Sequence, residues 1–173
     1  MIIAREKYRS NIVEYILYMY HIEELIRANH LNIEELEKNV ISRYSLPQEQ
    51  MSELRSWYQN LLTQMVQDGI AESGHLESLR ELIFKLNDLH IQLLNTIGEE
   101  RYVELYQWAK DIIAELKQKM KLPEITEMEV CINGLYGYKL LKLKDNDISQ
   151  ETAQAMAVMS QLLGYVTRKY HAK

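Results

Sequence analysis

The sequence predicts an all-α fold: a single-domain bundle of about seven helices spanning residues 1–173, mostly antiparallel neighbours along the chain. Only 6 glycines and 2 prolines occur among 173 residues, so few positions interrupt a helix. Apolar residues recur at spacings of three and four, which is the period of one helical face. The polar segments between these stretches are short, as expected for helices that fold back on one another. A chain of this length can bury enough surface to fold without a metal or a disulfide.

The first predicted helix runs from about Ile3 to Ala28, and its apolar residues keep the helical spacing throughout. A second helix follows Asn32, a favourable N-cap residue. Glu35 stands three residues later, where it can complete a capping box. This second helix is predicted to end near Tyr44.

Five longer helices make up the rest of the prediction. Ser45 and Pro47 suit the cap and the first turn of the third helix, and the segment DGIAESGH ends it. The fifth helix has acids in its first turn and lysines in its last, which complements the helix dipole. Ser149 is the predicted cap of the seventh helix. The predicted bounds of these five helices are about 47–67, 76–97, 99–120, 124–144 and 150–170.

Composition and charge exclude several classes of function. The formal net charge is −5 and the densest basic segment, KQKMK at 117–121, is short, so no nucleic-acid partner is predicted. No uncharged apolar run approaches the roughly 18 residues of a membrane span. The N-terminal segment MIIAREKYRS lacks the pattern of a signal peptide. Cys131 is the single cysteine, so no intrachain disulfide can form, and a buried thiol is expected. A cytoplasmic location without membrane contact is therefore predicted.

A polar cluster on the first helix is the candidate ligand-binding site. Ser10, Glu14, Tyr18 and His21 fall on one side of a continuous helix, within about 80° of one another. Successive members are three or four residues apart, so their side chains can meet. A carboxylate that holds an imidazole could perform acid–base chemistry. The alternative is a structural polar seam, in which a half-buried Glu14 is paired with a neighbouring helix. No catalytic residue is assigned.

No metal ion and no cofactor are predicted. Glu72 and His75 have the Glu-x-x-His spacing used in di-iron bundles, but Gly74 interrupts the pair at a helix break. The sequence has no His-x-x-x-His pair and no cysteine cluster. It also lacks a phosphate-binding G-x-x-x-x-G-K-[ST] loop, and the segment GLYGYK lies inside a predicted helix.

Small residues on the sixth and seventh helices predict close helix packing. Glycine inside a helix costs about 1 kcal/mol relative to alanine, so its presence there needs a reason. Gly134 and Gly137 lie on the sixth helix, and Ala153, Ala157 and Gly164 follow on the seventh. Facing stripes of small residues would let the two helix axes approach each other. The alternative is a groove that a ligand fills.

Aromatic composition points to a surface with a special role. The chain carries 12 tyrosines and a single phenylalanine, Phe84. A tyrosine buries its ring but needs water or a partner for its hydroxyl, so this excess favours boundaries, interfaces and clefts. Trp108 lies off the apolar stripe of the fifth helix and is expected to be exposed. Exposed aromatics are typical of association surfaces, although rings at the edge of a bundle explain them equally well.

Three segments resemble a known protein family: REKYRSNIVEYILYMYHIEELIRA at 5–28, VCINGLYGYKLLKLK at 130–144 and ISQETAQAMAVMSQLLGYVTRKY at 148–170. The family consists of short, all-helical bacterial proteins known only as a domain of unknown function. Its members often have tryptophan where this chain has Tyr20, and an acid pair similar to Glu23–Glu24. The resemblance covers the whole chain and implies a helical cytosolic protein. It brings no established activity, so no catalytic residue is carried over.

Three functional hypotheses follow. The first is a non-enzymatic, cytoplasmic helical protein that acts by self-association as a homodimer. The second is a bundle that binds a small molecule of unknown identity, near Glu14, Tyr18 and His21 or between the first, sixth and seventh helices. The third is an enzyme that uses Glu14 and His21 as an acid–base pair, which would need a third polar group from another helix.

Overall fold

The computed structural model describes residues 2–122, 124–144 and 146–172, and within them it contains eight α-helices, one short 3₁₀ helix and no strand. The all-α prediction is confirmed. The α-helices are α1 Ile2–Ser10, α2 Ile12–Ala28, α3 Ile33–Asn39, α4 Gln48–Gln67, α5 Glu77–Leu94, α6 Glu100–Met120, α7 Glu127–Leu143 and α8 Gln150–His171. The 3₁₀ helix is Ile41–Arg43.

The predicted first helix is in fact two helices. The structure therefore has eight α-helices in its described residues, whereas the sequence predicted about seven. α1 ends at Ser10, whose hydroxyl turns back and donates to the carbonyl of Glu6 at 2.8 Å. α2 begins at Ile12, whose backbone N–H donates to the imidazole Nε2 of His171 at 3.2 Å. A side-chain acceptor from the far end of the sequence therefore satisfies a backbone donor at the break. The spacing of apolar residues in the sequence does not indicate this contact.

The second predicted helix is correctly capped but shorter than expected. The side chain of Asn32 accepts the N–H groups of Glu34 and Glu35 at 2.9 and 3.0 Å. α3 stops well before Tyr44, and the 3₁₀ helix follows. The predicted return contact of the capping box is replaced, because the Glu35 carboxylate lies 2.9 Å from the imidazole of His30.

The later helices begin and end within a few residues of their predicted bounds. Ser149 caps α8 as expected, since its hydroxyl accepts the N–H of Thr152 at 3.1 Å. The cap prediction for α4 was wrong. Pro47, not Ser45, occupies the N-cap position, and it offers no side-chain hydrogen bond.

Contacts divide the chain into two compact units, and the prediction of one domain over 1–173 stays a prediction. Unit 1 comprises the described residues of 1–10 and 14–80. Its core is built largely from the apolar faces of α2 and α4. The side chains of Ile16, Ile22, Ile26, Tyr58 and Met65 are at most 1 % exposed there.

Unit 2 comprises the described residues of 11–13 and 81–173, and in it α6, α7 and α8 each pack against the other two. α6 and α8 are antiparallel. Glu99, just before α6, accepts a hydrogen bond from Tyr165 at 2.6 Å and another from Lys169, both near the end of α8. Both bonds lower the pKa of Glu99, and the bond from Lys169 has the larger effect. No described helix combines the length and the apolar character needed to cross a membrane.

Candidate functional site

The predicted polar cluster is spread along α1 and α2. Because the helix breaks after Ser10, the angular relation expected between Ser10 and Glu14 does not hold across that point. The Ser10 hydroxyl bonds within its own helix, and the Glu14 carboxylate pairs with Lys7 at 3.3 Å. Tyr18 is half-buried, which raises its pKa to about 12, and His21 is exposed. Ligand binding by these residues stays a prediction.

The fully buried acid of α2 is Glu23. Its residue exposure is 1 %, whereas the side chain of Glu14 keeps 45 %. One carboxylate oxygen of Glu23 accepts the backbone N–H of Leu76 at 2.9 Å, and the other lies 2.6 Å from Nδ1 of His75. Since an ionised carboxylate only accepts hydrogen bonds, Nδ1 of His75 carries the proton. The buried polar seam expected on this helix is therefore centred on Glu23.

Two further side chains of α2 hold the same segment, the loop between α4 and α5. The ring of Tyr20 stacks on His75 with centroids 3.5 Å apart and planes 9° from parallel. Arg27 donates to the carbonyl of Ile70 at 3.2 and 3.3 Å and to the carbonyl of Gly74. These contacts make a clamp, the Glu23 clamp, formed by Tyr20, Glu23 and Arg27 around His75. Glu23 also lies at the start of α5, where the helix dipole favours a negative charge.

A second network lies in unit 2 around the buried His90, which is 2 % exposed. The Tyr102 hydroxyl lies 2.5 Å from Nδ1, and the Glu127 carboxylate lies 3.0 Å from Nε2. Because the carboxylate only accepts, a neutral His90 is protonated at Nε2, and Tyr102 donates to Nδ1. Tyr106 donates a further hydrogen bond to Glu127 at 3.1 Å. The His90 bond is the largest influence that lowers the pKa of Glu127.

The chain of groups begins at Glu127, whose side chain is 37 % exposed, and runs through His90 to the buried hydroxyl of Tyr102. Tyr102 is 0 % exposed, and burial raises its pKa well above the usual range. Cys131 is also completely buried, which raises the pKa of its thiol and keeps it protonated. The prediction of a buried thiol is confirmed, and the network has the properties of a satisfied structural core.

Sequence analysis missed both networks, although signals for each were present. Tyr20 and the Glu23–Glu24 pair belong to the resemblance described above. His90 interrupts a stripe of apolar residues on α5 at spacings of three and four, which is Ile83, Leu86, His90 and Leu93. A polar residue inside such a stripe is buried and needs a partner. Within the described residues, no group of three metal-ligating side chains comes together, and the absence of a metal ion stays a prediction.

Several tyrosines lie in the core, although the polar hydroxyl of tyrosine favours the boundary between core and solvent. Tyr20, Tyr58 and Tyr102 are among the largest fully buried side chains of the described residues, each at most 1 % exposed. Trp108 is 56 % exposed, as its position off the apolar stripe predicts. The aromatic residues therefore divide between core and surface.

Gly134 and Gly137 of α7 have different surroundings. A Cβ at Gly134 would lie 3.2 Å from Cε of Met159 on α8 and 3.4 Å from Cδ1 of Leu116 on α6. At Gly137, no atom of the described neighbours would come within 4 Å of an added Cβ. The close approach expected from small residues is thus present at Gly134 and not at Gly137.

The small residues of α8 are half-buried or exposed. Ala153 is half-buried, Ala157 is exposed, and a Cβ at Gly164 would lie 3.8 Å from Arg168, with no nearer neighbour in the described chain. Ala157 and Gly164 line a groove between α8 and α6. At these two positions the geometry favours the groove, which was the alternative to close packing.

Substitution of the two α7 glycines separates packing from helix propensity. Gly137→Ala is expected to raise the free energy of unfolding by about 0.5–1 kcal/mol, because alanine loses less entropy in a helix. Gly134→Ala should raise the free energy of unfolding very little, because its methyl group must displace Met159. Gly134→Val should lower the free energy of unfolding by about 1–3 kcal/mol. Urea denaturation of the three variants measures these differences. Equal stabilisation by both alanines would show that Gly134 is not a packing position.

α6 and α8 present a common exposed face, called here the α6–α8 surface. On α6 its exposed and half-buried side chains are Arg101, Trp108, Ile112, Glu115 and Lys119, and the buried Leu105 contributes to the floor of one groove. On α8 it consists of Glu151, Gln154, Ala157, Gln161, Gly164 and Arg168. Two shallow grooves of about 390 and 440 Å³ follow the line between the helices. The arginines lie at one end of this surface, and Glu115 and Glu151 lie at the other.

Both arginines of the α6–α8 surface lie over aromatic rings. The guanidinium carbon of Arg101 is 5.4 Å from the centre of the Trp108 ring, and that of Arg168 is 5.3 Å from the Tyr165 ring. Such contacts restrict long side chains that would otherwise be mobile. Arg101 also pairs with Glu104 through Nη1 at 3.0 Å.

A family model described as a domain of unknown function (DUF4924) matches residues 1–173. No curated protein and no solved structure matches the chain. The match spans both units, in agreement with the resemblance in the sequence, and no activity comes with it.

Proposed function

The chain belongs to the family described as a domain of unknown function (DUF4924), and from its geometry we propose that it acts by association, as a homodimer joined through the α6–α8 surface. The observation that carries this proposal is the 56 % exposure of Trp108 at the middle of that surface. Tryptophan and arginine are the residues most enriched at the energetic centres of interfaces. On the α8 side of the surface, Ala157 and Gly164 line a groove that has room for the side chains of a partner.

Non-enzymatic action in the cytoplasm is part of the same proposal. In both buried networks the acid and the imidazole bond to structural neighbours: Glu23 holds Leu76 and His75, and His90 holds Tyr102. A single, protonated thiol at Cys131 is compatible with a reducing compartment. These observations support a protein that presents a surface rather than a reactive group.

A small anionic molecule is the second candidate occupant of the α6–α8 surface. The 440 Å³ groove brings Arg101 and Arg168 together with Ser160 and Gln161. Paired guanidinium groups suit a carboxylate or a phosphate, since arginine donates two parallel hydrogen bonds to such groups. Under this alternative the purified protein would retain, or be stabilised by, a compound of this class.

Sedimentation velocity and native mass spectrometry at micromolar concentration test the homodimer. The expected species has twice the 20.5 kDa mass of the chain, and Trp108→Ala should convert it to a monomer. Phe84→Ala is the matched control, because Phe84 is a 49 % exposed aromatic residue on α5, outside the surface. A wild-type monomer contradicts the homodimer, and a retained mass of a few hundred daltons favours the second candidate.

A different apolar surface provides a further control. Leu141 and Leu143, at the end of α7, are 42 % and 69 % exposed. Leu143→Ser should leave the dimer intact if the α6–α8 surface is the interface. A dimer that survives Trp108→Ala and is lost in Leu143→Ser would instead place the interface on α7.

A further inference from the structure

The charges of the α6–α8 surface select one arrangement of two copies, an inference that rests on the proposed homodimer. Arg101 and Arg168 form its basic end, and Glu115 and Glu151 form its acidic end. Arg101 and Glu115 are 14 positions apart on α6, which corresponds to about 21 Å of helix. This distance exceeds the screening length of about 8 Å at physiological ionic strength. A partner therefore meets each end as a separate charged region.

Each end also contains charges of the opposite sign. At the basic end, Glu104 pairs with Arg101 at 3.0 Å, and Lys169 is held by Glu99. At the acidic end, Lys119 pairs with Glu115 at 2.6 Å. Counted over these named side chains, the basic end has an excess of one positive charge and the acidic end an excess of one negative charge.

A homodimer of this kind has a two-fold axis in the plane of its interface. An axis along the helices would bring each end against the same end of the partner, so like charges would meet. An axis across the helices brings the basic end of one copy against the acidic end of the other. Like charges that face each other across an interface repel, so the second arrangement is favoured.

We infer that the homodimer is antiparallel, with Arg101 and Arg168 of each copy facing Glu115 and Glu151 of the other. Trp108 lies seven residues from both Arg101 and Glu115, which is the midpoint of the α6 side. The axis passes beside it, so that the two Trp108 rings meet at the centre. The exposed Ala157 on α8 allows close approach there.

The rings beneath the arginines support this arrangement. Trp108 and Tyr165 hold the two guanidinium groups at 5.4 and 5.3 Å from the ring centres. Side chains that are already restricted lose less entropy when they bind. The partner chemistry that fits the basic end is a carboxylate pair, and the acidic end of a second copy supplies one.

Charge reversal at one end and then at both ends tests the arrangement. Arg101→Glu with Arg168→Glu makes both ends acidic, and Glu115→Lys with Glu151→Lys makes both basic. Each double variant is expected to dimerise about tenfold more weakly or worse, because attraction at the interface becomes repulsion. The variant with all four substitutions restores opposite charges and is expected to regain the dimer. Sedimentation velocity gives the dissociation constants, and circular dichroism confirms that each variant is folded.

The control and the other outcomes separate this inference from the proposal beneath it. Glu81→Lys with Lys85→Glu reverses two exposed charges on α5 and should leave the dissociation constant unchanged. A dimer that depends on Trp108 but tolerates both double variants would overturn the antiparallel arrangement and keep the interface. Failure of the fourfold variant to recover would likewise overturn the arrangement. A monomeric wild-type protein would overturn the homodimer itself.

Discussion

Glu23→Ala is expected to lower the free energy of unfolding by about 3 kcal/mol, because it leaves buried hydrogen-bond donors without a partner. The carboxylate of Glu23 satisfies the backbone N–H of Leu76 and the Nδ1–H of His75 at 2.9 and 2.6 Å. Alanine would remove both bonds and also open a small cavity beside Tyr20. Urea denaturation followed by far-ultraviolet circular dichroism measures the loss.

Glu14→Ala is the matched control for Glu23→Ala. Both residues are acids on α2, but the side chain of Glu14 is 45 % exposed and pairs with a partly exposed Lys7. Exposed ion pairs contribute about 0–1 kcal/mol, so Glu14→Ala should cost less than that. His75→Ala should fall between the two, since Glu23 keeps its bond to Leu76. Equal losses for Glu14 and Glu23 would contradict the central role assigned to the Glu23 clamp.

His90→Ala is expected to cost about 3 kcal/mol of stability, for two reasons that act together. The substitution removes a 2 % exposed ring from the core of unit 2 and leaves a cavity. It also leaves the buried hydroxyl of Tyr102 without its acceptor and takes one donor from Glu127. Chemical denaturation of the variant gives the magnitude.

Two further variants show how much of the stability lost in His90→Ala comes from the hydrogen bond to Tyr102 and how much from removal of the ring. Tyr102→Phe keeps the ring and removes one hydrogen bond, so a loss of about 1–2 kcal/mol is expected. His30→Ala is the exposed control, because the His30 side chain is 80 % exposed and should contribute almost nothing. A His90→Ala variant as stable as His30→Ala would show that the network of Tyr102, His90 and Glu127 does not hold unit 2 together.

Local patterns in the sequence were sufficient to predict the long helices. Apolar spacing located every long helix, and caps such as Asn32 and Ser149 act through side-chain bonds to N–H groups two or three residues away. Such bonds depend only on neighbours in sequence, so a sequence contains all the information needed to expect them. The break at Asn11 shows the limit of this reasoning. The acceptor that satisfies Ile12 there comes from His171, 159 residues later.

The candidate sites depended on tertiary contacts to a much larger extent. Composition and spacing made Glu14 the suspect acid, since it stands alone in an apolar stretch. Glu23 was named only as one member of the acid pair Glu23–Glu24 in the family resemblance. Its burial follows from His75 and Leu76, which lie 52 and 53 residues away. No periodicity along α2 reports which of its acids a distant loop will cover.

By itself, the sequence determined that this protein is all-helical, the approximate bounds of its later helices, that Cys131 is buried and that Trp108 is exposed. Each of these properties follows from the period of apolar residues along one helix. Only the tertiary structure decided which acid is buried, that Gly134 is crowded while Gly137 is not, and that α6 and α8 share one exposed face. Those properties depend on which residues of other helices come near, and such contacts are set by the packing of the whole unit rather than by any local pattern.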